Sequence, residues 1–389
     1  MAPSKSAVAL ENLRKRGAVY GRLGIKPVIN AFGTDTKLGG SIMEPETAAA
    51  MAEASKVMVH MHELVERAGE VIARHTGAEA GLVTAGGAAA MVLQAAACMT
   101  GNDPGKALQL PDTTGMKNEF VIKKMHTHKY VQQWREAGAK PVWVGDEKGA
   151  TPAQIEAAIG PNAFGLAFIA SRALPDSFDG LDVMVKIAHK HGLPIMVDAA
   201  AMLPPVENLR RFIDHGADMV SFSGGKAIRA PQSSGILAGR KDLIAAASLS
   251  NSPNQGVGRP TKVCREEIVG LVTALESYVK RDHAADMRRW RQLDQVIIDA
   301  ISEIPGVTAR IDQHDWTAPV PEVSVSFTPE WRGPKPQEVV AALAAGDPEI
   351  IVAPAKRPGE AFFINPHGFL DGEAELVAER VRAVLERKR

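Results

Sequence analysis

The stretch Asp218-Met-Val-Ser-Phe-Ser-Gly-Gly-Lys-Ala-Ile-Arg229 decides how this chain is read. It begins as a short apolar strand, breaks into small polar and glycine residues, and delivers one lysine, Lys226, at the strand's end. A lysine at a sheet's edge is partly desolvated, which lowers its pKa and frees the amine to form a Schiff base. Ser221 and Ser223 can donate to a phosphate, and Gly224-Gly225 lets the backbone approach one closely. An ordinary loop lysine would look the same. The stretch needs support from elsewhere.

That support begins upstream. Leu193-Pro-Ile-Met-Val-Asp-Ala-Ala200 is a buried strand with Asp198 at its C-terminal end, and ligands of open α/β sheets bind beyond the carboxyl ends of the strands. Facing a pyridinium N–H, this carboxylate would keep the nitrogen protonated and let the ring take up electrons. Otherwise it caps the next helix. Asp198 and Lys226 end consecutive strands, which favours the first reading. Val83-Thr-Ala-Gly-Gly-Ala-Ala-Ala90 is a strand entering a small-residue loop that opens a helix, an arrangement that binds anions. It lacks the glycine spacing of dinucleotide sites and the Gly-Lys of nucleotide P-loops. A tight helix–strand packing contact is the alternative.

Around these motifs, strands and helices alternate. Strands are expected at Gly81–Thr84, Glu119–Lys123, Pro141–Val144, Gly165–Ala170, Pro194–Val197, Asp218–Phe222 and Gly235–Ala238, with helices at Ala88–Met99, His128–Ala137, Thr151–Ile159, Leu181–Lys190 and Val206–His215. Nearly all-apolar strands alternating with helices predict an α/β fold with a mostly parallel seven-stranded sheet covered on both faces. The last strand follows Pro231 after a short loop, so it is expected antiparallel at that end of the sheet. The organisation predicted is an N-terminal arm (1–40, with a helix at Ala7–Arg16 and an extended stretch at Pro27–Gly40), a large domain (41–264), a linking helix (265–304) and a small α+β domain (305–389). In the small domain, strands are expected at Val307–Ile311, Glu322–Thr328 and Ala361–Ile364, and helices at Lys335–Ala344 and Gly372–Glu386.

Composition narrows the function classes. The 389 residues carry 45 basic and 45 acidic side chains, so no global charge draws the chain to nucleic acid or an anionic membrane. The two cysteines, Cys98 and Cys264, have no spacing that suggests metal or redox work. With no apolar run long enough to span a bilayer and no signal-peptide core, the cytoplasm is the expected compartment.

Taken in order, the motifs resemble the pyridoxal-phosphate (PLP) family that includes bacterial selenocysteine synthase and D-glucosaminate-6-phosphate ammonia-lyase, of the aspartate-aminotransferase fold type I. The resemblance runs from about Leu23 to the C-terminus. It rests also on Pro27-Val-Ile-Asn-Ala-Phe-Gly-Thr34, His62-Glu-Leu-Val-Glu-Arg-Ala-Gly69, Leu110-Pro-Asp-Thr-Thr-Gly-Met-Lys-Asn-Glu119 and Gly258-Arg-Pro-Thr-Lys262. It implies pyridoxal 5'-phosphate on Lys226, with Asp198 at the pyridine nitrogen and Thr84, Gly86, Gly87 and Ala88 as the phosphate loop. His126 looks like the residue stacked on the ring, with His128 as the fallback; either would otherwise be a solvated helix histidine. Arg259 and Lys262 resemble a basic element that meets phosphate in a neighbouring subunit's site, or else plain surface charge. Asn30 and Thr34 look like lining of the substrate mouth.

His367 stands where an arginine for a substrate carboxylate would be sought, and Lys356 and Arg357 are nearby substitutes. The selenium transferase has an extra N-terminal module for its tRNA. Here little chain precedes the shared core and net charge is zero, so no nucleic-acid partner is expected. The expected partners are a small amino-acid or amino-sugar-acid substrate and further copies of the chain, a homodimer or higher oligomer. The reaction the resemblance implies is elimination of ammonia from a β-hydroxy amino acid or amino-sugar acid, with Lys226 as the base. A racemase or transferase on the same cofactor, or a non-catalytic protein of this fold, stays open.

Overall fold

The computed structural model describes residues 3–172, 174, 176–314, 318–355 and 359–387. The chain forms two compact units, one continuous (Ser41–Arg281) and one built from both ends, Met1–Gly40 with Asp282–Arg389.

The N-terminal helix Lys5–Gly21 starts at Ser4, whose hydroxyl accepts from the Ala7 N–H. Its buried face carries Ala9, Leu13 and Gly17. A Cβ on Gly17 would lie 2.5 Å from the Pro27 ring, so glycine is what lets the chain double back there. The extended stretch that follows contains a true strand, β1 (Val28–Ala31).

The continuous unit holds seven strands: β2 (Ala80–Thr84), β3 (Glu119–Lys123), β4 (Lys140–Val144), β5 (Ala163–Ile169), β6 (Ile195–Asp198), β7 (Met219–Ser223) and β8 (Gly235–Gly239). Their order is β2-β8-β7-β6-β5-β3-β4. β4, β3, β5, β6 and β7 run parallel, and β8 is antiparallel to both its neighbours. The antiparallel strand is therefore one place in from the edge, with β2 outside it. Every residue of β5 and β6 is buried, as expected where helices cover both faces. The apolar helix Gly86–Thr100 is buried along most of its length, and its one buried amide is satisfied. Gln94 donates to the Val197 carbonyl (3.0 Å) and accepts from the Trp134 indole (3.0 Å).

The stretch 265–304, expected as one linking helix, is two helices, Arg265–Lys280 and His283–Ile301. Asp282 restarts the helix by accepting the Ala285 N–H at 2.9 Å, and the continuous unit ends one residue earlier. In the second unit, β9 (Val307–His314), β10 (Ala318–Phe327), β11 (Glu349–Pro354) and β12 (Glu360–Ile364) join β1 in the order β1-β11-β12-β10-β9. β1 pairs parallel with β11 and the other pairs are antiparallel. Ile297, Val323, Val325, Phe362, Ile364, Val377 and Val381 form the core beneath the helices.

Candidate active site

The carboxyl ends of β5, β6 and β7 and the start of helix Gly86–Thr100 meet in the large unit. Lys226 follows β7 on a turn whose glycines are forced by close packing. A Cβ on Gly224 would lie 2.3 Å from the Ser234 hydroxyl, and one on Gly225 2.6 Å from the Gln232 Cα. Lys226 itself is half-buried.

Asp198 ends β6 opposite Ser221 of β7 and is 5 % exposed. It accepts one good hydrogen bond, from the Ala200 N–H at 3.0 Å, and a long one from Ser221 at 3.5 Å. Burial pushes its pKa above the ordinary carboxylate value, against the Ala200 N–H and the charges of Lys226 and His128. The next helix begins only at Asn208, so Asp198 does not cap it. A buried carboxylate this short of donors has room for a cationic N–H, which a protonated pyridine supplies.

Thr84 is fully buried and donates to the Gly86 carbonyl at 2.9 Å. Gly86 has φ 75°, and the helix it opens has no side-chain cap, which leaves its first N–H groups available to an anion. A Cβ on Gly87 would lie 3.0 Å from the Ala200 Cβ and 4.0 Å from the Ser223 nitrogen, so this loop abuts the ends of β6 and β7. Helix N-terminus, lysine and acid thus fit the phosphate, carbonyl and ring nitrogen of PLP. Ser223 is half-buried beside them. Ser221, read from sequence as a phosphate donor, is fully buried and turns its hydroxyl to Val197 O (3.4 Å) and Asp198 instead.

The two histidines differ in burial. His126, expected on the cofactor ring, is 0 % exposed and has no open face to stack with. Its Nδ1 accepts the Ile169 N–H at 3.3 Å, which leaves Nε2 as the protonated nitrogen donating to Asp176 at 3.0 Å. Asp176 also pairs with buried Lys123. Burial alone would raise the Asp176 pKa, but the bonds from His126 and Lys123 hold it at about 2. His128 is the half-buried one, and its charge interacts with those of Asp198 and Lys226.

Sequence reasoning missed Asp176, Lys123 and Arg172. The Arg172 guanidinium donates to the carbonyls of Ala201 (2.6 Å), Leu203 (2.9 Å) and Pro204 (2.9 Å), joining the segments that follow β5 and β6. No local pattern marks these residues, because their partners lie tens of residues away.

Arg259 is half-buried in the turn Arg259–Thr261, and Lys262 follows it, exposed. In the second unit, the Asn30 amide is occupied by its own loop. It accepts from Phe32 N (3.0 Å) and Gly33 N (3.2 Å) and donates to Gly33 O (2.7 Å). Thr34 is half-buried. His367 is buried against the Trp290 ring at 5.3 Å, not presented as an arginine would be. Lys356 and Arg357 lie outside the described residues.

A mostly parallel seven-stranded sheet with lysine, acid and anion loop at its strand ends defines a fold-type-I PLP enzyme, and the chain belongs to the aminotransferase class-V family, which matches residues 44–329. It is similar to the D-glucosaminate-6-phosphate ammonia lyase of Salmonella typhimurium, 34 % identical over 95 % of this chain and 98 % of that one. A solved structure of a D-glucosaminate-6-phosphate ammonia-lyase superposes with a TM-score of 0.84 over the same shares. A 5'-C-glycyluridine monooxygenase-decarboxylase of a Streptomyces species is 31 % identical over 94 % of this chain and 92 % of its own. The L-seryl-tRNA(Sec) selenium transferase of Moorella thermoacetica is 24 % identical over 99 % of this chain and 86 % of its own.

Proposed function

We propose that this protein is a PLP-dependent ammonia-lyase acting on a 2-amino-3-hydroxy acid, an amino-sugar acid such as D-glucosaminate 6-phosphate or a β-hydroxy amino acid. The observation that carries the reading is near-full-length similarity to a lyase of that activity in a chain that keeps Lys226, Asp198 and the Gly86–Ala88 loop together. The N–H groups of Gly86, Gly87 and Ala88, with Ser223, would hold the cofactor phosphate, while His128 would pack on the ring and Asp198 would keep the pyridine nitrogen protonated. When bound, the cofactor supplies an electron sink for the substrate Cα.

Lys226 Nζ would hold the cofactor's carbonyl carbon and, as a free amine, would take the substrate Cα proton and return a proton to the departing 3-hydroxyl. The water lost there is regained when the unsaturated amine hydrolyses to a 2-oxo acid and ammonia. Arg259 and Lys262 are candidates for a phosphate, Thr34 for lining of the substrate mouth, and Arg357 for the substrate carboxylate. The working form is a homodimer or larger homo-oligomer of a cytoplasmic enzyme. Among the described residues, no helix is long and apolar enough to cross a membrane.

A screen of amino-sugar acids and D- and L-hydroxy amino acids for 2-oxo acid and ammonia release tests the reading. Release without oxygen uptake supports it. The monooxygenase-decarboxylase relative motivates a second reading, in which turnover consumes oxygen and releases carbon dioxide. That result would displace the first.

A further inference from the structure

The turn carrying Lys226 is tied down by residues from both ends of the large unit. Ser41, its first residue, donates to the carbonyls of Gly225 (3.1 Å) and Lys226 (2.8 Å). Three residues on, the Glu44 carboxylate accepts hydrogen bonds from Arg229 (2.6 Å) and from Arg281 (3.4 Å), the unit's last residue. The Arg229 N–H closes the turn onto the Lys226 carbonyl at 3.0 Å. Arg229 also has φ 59°, the only non-glycine residue in the left-handed region among the described residues. Glycine would adopt that backbone more easily, so an arginine there signals that its side chain is needed. The three side chains are only 21 % (Arg229), 34 % (Glu44) and 16 % (Arg281) exposed, and partial desolvation strengthens charge-assisted bonds.

We propose that Glu44 is a positioning residue for Lys226. Through Arg229 it fixes the turn whose carbonyls Ser41 also holds, and so sets the direction in which the lysine leaves the end of β7. This rests on the reading of Lys226 as the cofactor lysine, so the test begins with holoenzyme, borohydride reduction and peptide mapping. Cofactor fixed on another lysine would overturn that reading and the positioning role with it. With Lys226 labelled, the positioning role is tested separately by Glu44→Gln, Arg229→Gly, Arg229→Lys and the Gln/Gly double variant.

Arg229→Gly keeps the left-handed backbone and removes the whole side chain, guanidinium included. It and Glu44→Gln should each weaken the visible circular dichroism per bound cofactor and speed cofactor release roughly tenfold, the scale of one charge-assisted hydrogen bond. The double variant should be no worse than either single one, and Arg229→Lys should recover part of the loss. Wild-type dichroism and release in Glu44→Gln and Arg229→Gly, or additive losses in the double variant, would overturn the proposal. Should Glu44→Gln fail to fold, the contrast between Arg229→Gly and Arg229→Lys decides alone.

Discussion

Two carboxylates are buried in this protein in opposite ways. In the large unit Asp176 lies between Lys123 and His126, and those partners hold its pKa at about 2 despite burial. In the second unit Asp294 is 0 % exposed and neither oxygen has a hydrogen-bond partner among the described residues. Burial, with Glu322 as its charged neighbour, drives its pKa up to about 8. The partner, not the depth, decides whether a buried acid carries charge. Asp198 lies between the two: deeply buried, with one good donor and a raised pKa. On the reading proposed above, the partner it lacks is the cofactor's ring nitrogen.

The largest expected effect tests that third case. Asp198→Asn keeps the shape and removes the charge that holds a proton on the ring. Its kcat should fall more than about a thousandfold, about 4 kcal/mol at about 1.4 kcal/mol per factor of ten, while the melting temperature stays near wild type. A kcat near wild type would move the pyridine partner elsewhere. Next comes Asp176→Asn, which strands the buried Lys123 ammonium. Denaturant unfolding should show a loss of about 3–5 kcal/mol, and a Lys123→Met/Asp176→Leu pair should recover most of it. A loss under about 1 kcal/mol would mean the pair is effectively solvated.

Asp294 gives the comparison its pH signature. Its folded pKa of about 8 exceeds the ordinary 3.8, so the folded form binds a proton that the unfolded chain releases. The contribution to stability is complete below the unfolded value and is lost as pH rises towards 8. Between about pH 6 and pH 7 that loss is about 1.4 kcal/mol, and Asp294→Asn should abolish it in unfolding curves recorded at both pH values. An unchanged pH slope would mean that a cation or water already serves Asp294. The smallest effect concerns His128. His128→Ala should weaken cofactor retention by about 1 kcal/mol, while His128→Phe, which keeps a flat face, should retain most of it in cofactor-release assays.

What was legible followed from local signals. All seven strands of the large sheet were readable because each is a short apolar run between breakers, and so was the placement of Asp198 at the end of β6 and of Lys226 on the turn after β7. β1 and β11 were not. β1 is four residues long and finds its neighbour more than three hundred residues later, so no local pattern announces it. The break at Arg281–Asp282 had a signal in the N-capping Asp282, masked by the apolar periodicity on either side. His126 and His128 are two residues apart and identical in type. Ile169 and Asp176 decide which of them is enclosed, and sequence spacing does not reveal such partners.

The split of the second unit between the two chain ends has a consequence for how the protein is made. Residues Ser41–Arg281 are contiguous and can fold as soon as they leave the ribosome. β1 emerges before all of them, yet the strand it pairs with is β11. At about 5–20 residues per second, β1 waits some tens of seconds for β11 to appear. Throughout that interval the helix Lys5–Gly21 and β1 lack the partners from the C-terminal half of their unit, the last helix Glu373–Leu385 and β11. A stall or premature stop before Glu349 leaves a finished large unit trailing that helix and strand, a product for chaperones or proteases to recognise.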